Sequence, residues 1–167
     1  MGENKKFQIS ELKFSDIQEA TNLVVSQMDN TDMWKGSDFD KKSIALILCN
    51  CVFTDNNIAF VAKFNNEIIG IVSGYITKPY YKKGVEVREY GVCLKPEFRG
   101  KQIGKLLLCK WIQWGIDKTR NTGDIYMAFM SGENKEEFDK KMNSICFEEV
   151  GSFYKLNKIK LQKKGIL

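Results

Sequence analysis

The sequence predicts a layered α/β or α+β domain organised around a mixed sheet. Two observations carry the prediction. Segments with strand-like alternation take turns with segments of helical periodicity along the chain. No repeat, low-complexity run or interdomain linker divides the 167 residues. The whole of 1–167 is therefore read as one domain, long enough to bury roughly 70% of its unfolded surface.

A short strand around Phe7-Gln8-Ile9 opens the fold. Ser15-Asp16-Ile17-Gln18 has the form of a capping box, with Gln18 three residues after a hydroxyl cap. Ile17, Ala20, Val24 and Met28 then recur at helical spacing. Beyond a polar link from Asp29 to Ser37, a second helix capped by Ser37 or Asp38 is expected to reach about Asn50, with Ile44, Ile47, Leu48 and Cys51 as its buried stripe. Ile58 to Phe64, the turn Asn65-Asn66-Glu67 and Ile68 to Ile76 read as a hairpin. Val85 to Leu94 is a further strand, ended by Lys95-Pro96-Glu97-Phe98. Gln102 to Lys118 is the strongest helix, with Ile103, Leu107, Trp111 and Trp114 on one side. Asp124 to Met130 reads as a short buried strand, Lys135 to Met142 as a weak helix, and Phe147 to Leu161 as one or two closing strands.

Composition narrows the chemistry. The hydrophobic share of 43% and charged share of 28% fit a globular protein, and no apolar run approaches the ~20 residues that span a bilayer. Lys5 and Lys6 precede no apolar core, so a secretory signal is not expected. With no histidine in the chain, Ser-His and Cys-His nucleophiles are excluded. Cys49, Cys51, Cys93, Cys109 and Cys146 sit in apolar surroundings and are read as reduced core thiols of a cytoplasmic protein. Cys49-Asn50-Cys51 has neither a second pair nor a histidine to complete a zinc site, so no metal is expected. The net charge of +5 is compatible with an anionic partner. The lysines are scattered, however, apart from a tail from Lys155 to Lys164 that reads as a charged edge strand, so nucleic acid is not expected.

The chemistry lies in Val92-Cys93-Leu94-Lys95-Pro96-Glu97-Phe98-Arg99-Gly100-Lys101-Gln102-Ile103-Gly104-Lys105-Leu106-Leu107. An apolar strand runs into a basic, glycine-containing turn and then a helix. Unpaired N–H groups at a helix N-terminus, together with its dipole, form a site for phosphate oxygens. Arg99, Lys101 and Lys105 add positive charge, and glycine permits close approach. A Walker loop is excluded, because the glycines are one residue too close and Leu106 follows the lysine. The three glycines of a dinucleotide fingerprint are absent as well.

The string resembles the main motif of the GNAT superfamily of acyl-CoA N-acyltransferases: an apolar strand, an x-Pro-x-x-Arg-Gly-Lys-Gly-Ile-Gly-like loop and a Leu-rich helix. Pro96, Arg99, Gly100, Lys101, Ile103, Gly104 and Leu107 fall in place, and Gln102 stands where the family usually has its first loop glycine. The resemblance implies a central, mostly antiparallel sheet flanked by helices, with acetyl-CoA as co-substrate and no metal. It implies that backbone groups of Val92, Cys93 and Leu94 hold pantetheine and polarise the thioester. Amides of Arg99, Gly100, Lys101, Gln102, Ile103, Gly104 and Lys105 would hold the pyrophosphate, and Asn134 is the nearest match to a helical pantetheine contact.

A carboxylate on the strand before the loop often serves the family as base, which makes Glu86 and Glu89 the candidates. Glu89 shares strand parity with Val85, Val87, Gly91 and Cys93. It is either a partly buried base of raised pKa or a cross-strand partner of Arg88 or a lysine. Met142 occupies the site of the family's acidic tyrosine, ahead of Cys146-Phe147 in place of a Gly-Phe pair, leaving Tyr126, Tyr154 or Ser131 as substitutes, or a thiolate that departs unassisted. The resulting expectation is direct acetyl transfer to a primary amine of a small molecule or peptide. The residues from Met33 to Ser37, with Trp34, and the Pro79-Tyr80-Tyr81 turn would wall the acceptor site. The alternative is a non-catalytic acyl-CoA sensor of the same fold, and monomer and homodimer both remain open.

Overall fold

A computed structural model describes residues 7–30, 36–120, 122–128 and 135–149. The chain forms two compact units, Met1–Gly132 and Glu133–Leu167. The first contains a five-stranded sheet whose spatial order follows the chain: β1 (Gln8–Glu11), β2 (Asn57–Phe64), β3 (Glu67–Thr77), β4 (Glu86–Leu94) and β5 (Asp124–Tyr126). β1 to β4 form an antiparallel meander, while β5 runs parallel to β4. That change of direction requires a crossover, supplied by helix α3 (Ile103–Thr119). The mixed, mostly antiparallel sheet flanked by helices matches the expectation.

The β2–β3 connection is a tight hairpin because Asn65 and Asn66 both accept left-handed backbone, at φ 51° and 65°. Two such residues make the turn whose twist suits antiparallel strands, and asparagine tolerates it better than most side chains. β3 is buried without interruption from residue 68 to 74, as expected of a strand covered on both faces. One face meets α1 (Ile17–Asp29) and α2 (Lys41–Phe53) through Ala20, Leu23, Leu48, Cys51, Ala59, Val61 and Ile71. The other meets α3, and glycine sets how closely. A Cβ on Gly74 would lie 2.2 Å from Trp111 Nε1, and one on Gly115 would lie 3.0 Å from Val87 Cγ1. The helix therefore sits almost on the sheet backbone, with Ile103, Leu107 and Trp111 fully buried; Trp114 is half-buried.

Two helix starts differ from the sequence reading. Residues 14–16 form a single 3-10 turn, and α1 begins at Ile17 behind Asp16 rather than behind a Ser15 cap. The Asp16 carboxylate accepts from the Lys13 N–H at 3.3 Å and pairs with Lys63 at 2.7 Å, whereas Gln18 donates forward to Asn22. The Asp16 side chain thus reaches back to the residue before the 3-10 turn and makes no cap bond to α1 itself. α2, by contrast, is capped by Asp40 rather than Ser37 or Asp38, and Asp40 accepts from the Lys42 N–H at 2.9 Å and the Ser43 hydroxyl at 2.6 Å.

The thiols require a further correction. Cys51 is buried and Cys49 and Cys93 are half-buried, but Cys109 and Cys146 are exposed, because they fall on the outer sides of their segments. β5 stops at Tyr126 instead of running to Met130 and is only partly buried. In the second unit, helix α4 (Lys135–Asn143) is present. Residues 147–149 carry no strand, while 150–161, with the basic tail, lie outside the described residues. Among the described residues no helix is long and apolar enough to cross a membrane.

Candidate active site

β5 pairs with β4 only through Glu86–Asp124, Val87–Ile125 and Arg88–Tyr126, although β4 continues to Leu94. From residue 89 to 94, β4 is bonded to β3 on one side and, among the described residues, to no strand on the other. Such an edge presents a row of backbone donors and acceptors to an extended ligand. Val92, Cys93 and Leu94, the predicted pantetheine residues, lie on it and are half-buried.

At the end of β4 the chain makes a single 3-10 turn over Pro96–Phe98 and enters α3. Gly100 at φ 76° and Gln102 at φ 61° are left-handed. Gln102 provides no side-chain cap, so the first N–H groups of the helix, those of Ile103, Gly104 and Lys105, are left to an external acceptor. Gly104 has ordinary helical backbone, and a Cβ there would meet nothing nearer than Leu94 Cδ2 at 3.9 Å. Neither conformation nor packing demands a glycine at this position, so the helix start has open space beside its backbone. Arg99, Lys101 and Lys105 are exposed around the turn. Arg99 is steadied by Gln27 of α1 at 3.3 Å and the Leu94 carbonyl at 3.4 Å, and Lys101 lies 5.1 Å from the Phe98 ring centre. The predicted phosphate residues thus converge on one basic helix start, an anion site by dipole and charge.

Glu89 stands where β4 and β5 part. The β3–β4 register steps from Gly74–Glu89 to Ser73–Gly91, so Tyr90 is an extra residue in β4, a bulge. The bulge breaks the parity read from the sequence: Cys93 packs toward α1 and α2, while Glu89 pairs with Gly74 on the α3 side. Its carboxylate accepts the Ala128 N–H at 2.8 Å, across the point where the ladder has ended. Burial pushes the carboxyl above its ordinary pKa, and the Ala128 bond and the charge of Arg88 offset this only in part.

Glu86 is in the opposite situation. It is 0% exposed, and burial alone would raise its pKa. Hydrogen bonds from Tyr81, Arg88 and Lys82 outweigh that effect and hold the carboxyl below the ordinary range. Arg88 turns both Nε, at 2.8 Å, and Nη2, at 2.7 Å, onto Glu86 Oε2, and Lys82 lies 3.3 Å from Oε1. Lys82 also bridges to Asp124. Tyr126 joins this cluster and not Glu89: its hydroxyl accepts from Lys82 at 3.4 Å, and Arg88 lies 5.4 Å from its ring centre. The candidate acid and the candidate base are therefore not seen in contact. Cys93 is a weak nucleophile, since burial pushes its thiol up to about 11.

Asn134, Ser131, Tyr154 and residues 33–35 of the stretch from Met33 to Ser37 lie outside the described residues, while Gly36 and Ser37 are exposed. Met142 is half-buried on α4. Tyr80 and Tyr81 are 99% and 58% exposed, so neither is core, but the Tyr81 hydroxyl is committed to Glu86. Sequence reasoning missed the bulge and the Glu86 cluster. Gly91, a glycine inside a strand pattern, was the available signal for the bulge.

The sequence profile of the acetyltransferase (GNAT) family matches residues 23–135, which include the open edge, Glu89 and the basic helix start. The chain belongs to this family. It is an acetyl-CoA-dependent N-acetyltransferase. No curated protein sequence matches it. Solved structures share its fold at low identity. The aminoglycoside N-acetyltransferase AAC(6')-Iy in complex with CoA is 18% identical, with a TM-score of 0.73 over 94% of this chain and 97% of that one. A predicted acetyltransferase from Clostridium acetobutylicum with acetyl-CoA is 18% identical, with a TM-score of 0.72 over 93% and 98%. An aminoglycoside acetyltransferase from an uncultured soil metagenomic sample, in complex with sisomicin, is 20% identical, with a TM-score of 0.65 over 90% and 96%.

Proposed function

We propose that this acetyltransferase acetylates a primary amine of a small polar molecule by direct attack, with Glu89 as the base. The observation that carries the reading is the Glu89 carboxylate itself, half-buried, bonded to the Ala128 N–H and raised in pKa at the point where β4 loses its β5 partner. Five residues of extended strand, about 17 Å, separate it from Leu94 and the basic turn. That distance suits an extended pantetheine arm with its pyrophosphate on the amides of Arg99, Gly100, Lys101, Gln102, Ile103, Gly104 and Lys105. On this reading, backbone groups of Val92, Cys93 and Leu94 bind the arm as an added strand and polarise the thioester carbonyl. The amine nitrogen forms its bond to the acetyl carbon as Glu89 takes the proton, and the carbon–sulfur bond breaks to release the thiol.

Glu86 is assigned a structural role, since a carboxylate neutralised by two cations and a phenol is a poor base. The exposed Tyr80, on a connection tied down by Tyr81 and Lys82, suits stacking against an acceptor ring. An acceptor of aminoglycoside type accords with the similar folds described above. The chain's five free thiols, two of them exposed, suit a reducing compartment such as the cytoplasm.

The test supplies acetyl-CoA with a panel of aminoglycosides, polyamines and amino acids and follows release of free thiol. Release that depends on one acceptor class, together with the mass of an acetylated product, is the expected result. Tight coenzyme A binding without release for any amine would establish the sensor reading instead.

A further inference from the structure

Trp111 is 0% exposed, yet its indole N–H is the one buried side-chain polar atom without a hydrogen-bond partner among the described residues. A buried tryptophan ordinarily finds an acceptor for that N–H. Packing alone does not account for accepting a desolvated donor here, because Phe or Leu would fill a core without one. The location of the indole supplies the reason. It is seated on Gly74, whose absent Cβ would lie 2.2 Å from Nε1 and 3.0 Å from Cε2, with the Arg88 carbonyl oxygen at 2.6 Å. Gly74 is the register partner of Glu89, at the step where the bulge begins.

We propose that Trp111 is a positioning residue for Glu89, its indole excluding water from one flank of the carboxylate and fixing the bulge that aims it at the acceptor amine. The proposal rests on Glu89 being the base. The other elements around the carboxylate bring it little charge. β3 presents Gly74, and the segment after β5 presents the Ala128 amide. On β4 the Arg88 guanidinium is committed to Glu86, and Lys82 to Glu86 and Asp124. α3 presents Trp111 at this point and Gly115 one turn on, and neither ionises. The indole, seated on the register partner of Glu89, is placed to keep this carboxyl out of water, as a hydrophobic wall raises the pKa of an acid beside it.

The decisive experiment compares pH–rate profiles of wild type, Trp111→Phe and Glu89→Gln with coenzyme A binding measured in each. Phe is smaller and admits water to the flank. The rising limb should therefore move to lower pH by about half a unit to one unit, with kcat about three- to tenfold lower and coenzyme A affinity unchanged. A purely structural tryptophan would leave the limb where it is, and a folded Trp111→Phe protein with an unmoved limb overturns the proposal. Should that variant fail to fold, the wild type decides. Of the chain's three tryptophan indole resonances, assigned with Trp34→Phe and Trp114→Phe, the one from Trp111 should shift with pH at the midpoint of the activity limb, and an indole that ignores that midpoint also overturns the proposal. Glu89→Gln keeps the two readings apart. A limb that survives this substitution removes Glu89 as base, whereas a limb lost there but unmoved in Trp111→Phe removes only Trp111.

Discussion

The two halves of β4 carry the same residue type in opposite circumstances. Glu86 lies where β4 is paired on both sides, and its carboxylate is surrounded by Tyr81, Lys82 and Arg88. Glu89, one register step past the last β5 pair, has a backbone amide for its carboxylate and no cation committed to it. Glu86 is fully removed from water and compensated, whereas Glu89 is half-buried and compensated only in part. Burial costs a carboxylate its charge unless partners restore it. The closed half of the strand therefore holds an ion-paired cross-link, while the open half holds an acid that keeps its proton to higher pH than an ordinary carboxyl does. Burial is thus a poor guide to function; the presence or absence of compensating partners separates the structural carboxylate from the reactive one.

The largest effect should come from the open half. Glu89→Gln keeps the volume and removes the proton acceptor, so kcat should fall about 100- to 10,000-fold, with coenzyme A affinity unchanged by calorimetric titration. Equal activity in the variant would end the contrast between the two acids.

Glu86→Gln should do the reverse, lowering stability by roughly 1–3 kcal/mol through loss of charged hydrogen bonds while activity per folded molecule persists. Denaturant unfolding across pH sharpens the point. Because the folded pKa of Glu86 is depressed, its contribution is present above the unfolded value and is lost as pH falls through the folded one. The variant should lack that acid-side loss. Glu89, with a raised folded pKa, contributes stability at low pH that is lost as pH rises through its folded value, so the two carboxylates tilt the pH profile in opposite senses.

At the far end of the open half, Gly104→Asp should leave the fold intact, since its Cβ has room. It should weaken coenzyme A binding at least about tenfold by setting a negative charge at the helix start. An unchanged affinity in the folded variant would remove the loop from the site. The smallest effect is expected from Gln102→Gly. A left-handed glutamine stores about 1–2 kcal/mol that glycine does not, partly offset by glycine's greater freedom in the unfolded chain, so the thermal midpoint should rise by a few degrees at most.

The basic turn was legible from sequence because everything that makes it is local: Pro96 after the strand, Gly100 for the turn, and Ile103, Leu107 and Trp111 at helical spacing. The same holds for the β2–β3 hairpin at Asn65-Asn66. What escaped depends on contacts between segments distant in the chain. The bulge arises where Gly74 meets Trp111, and no inspection of residues 85 to 94 alone reveals that Tyr90 is the extra residue. The partners of Glu86 come from the preceding connection and from its own strand, but their convergence needs the fold. The resemblance expected glycine at two positions where this chain has other residues, Gln102 and Cys146. Both are left-handed, at φ 61° and 65°, so these departures kept the backbone shape and changed only its cost.

The continuous burial of β3 has a consequence for how the protein breathes. Amide exchange proceeds through local openings that are rarest where both strand edges are paired and both faces are covered. β3 meets all four conditions, with β2 and β4 at its edges and helices above and below. In deuterated solvent its amides from residue 68 to 74 should exchange last, well after those of β1 and β5. The open edge of β4 is then anchored along its whole length to the slowest-opening strand of the molecule, so a ligand added to that edge would meet a shape already set.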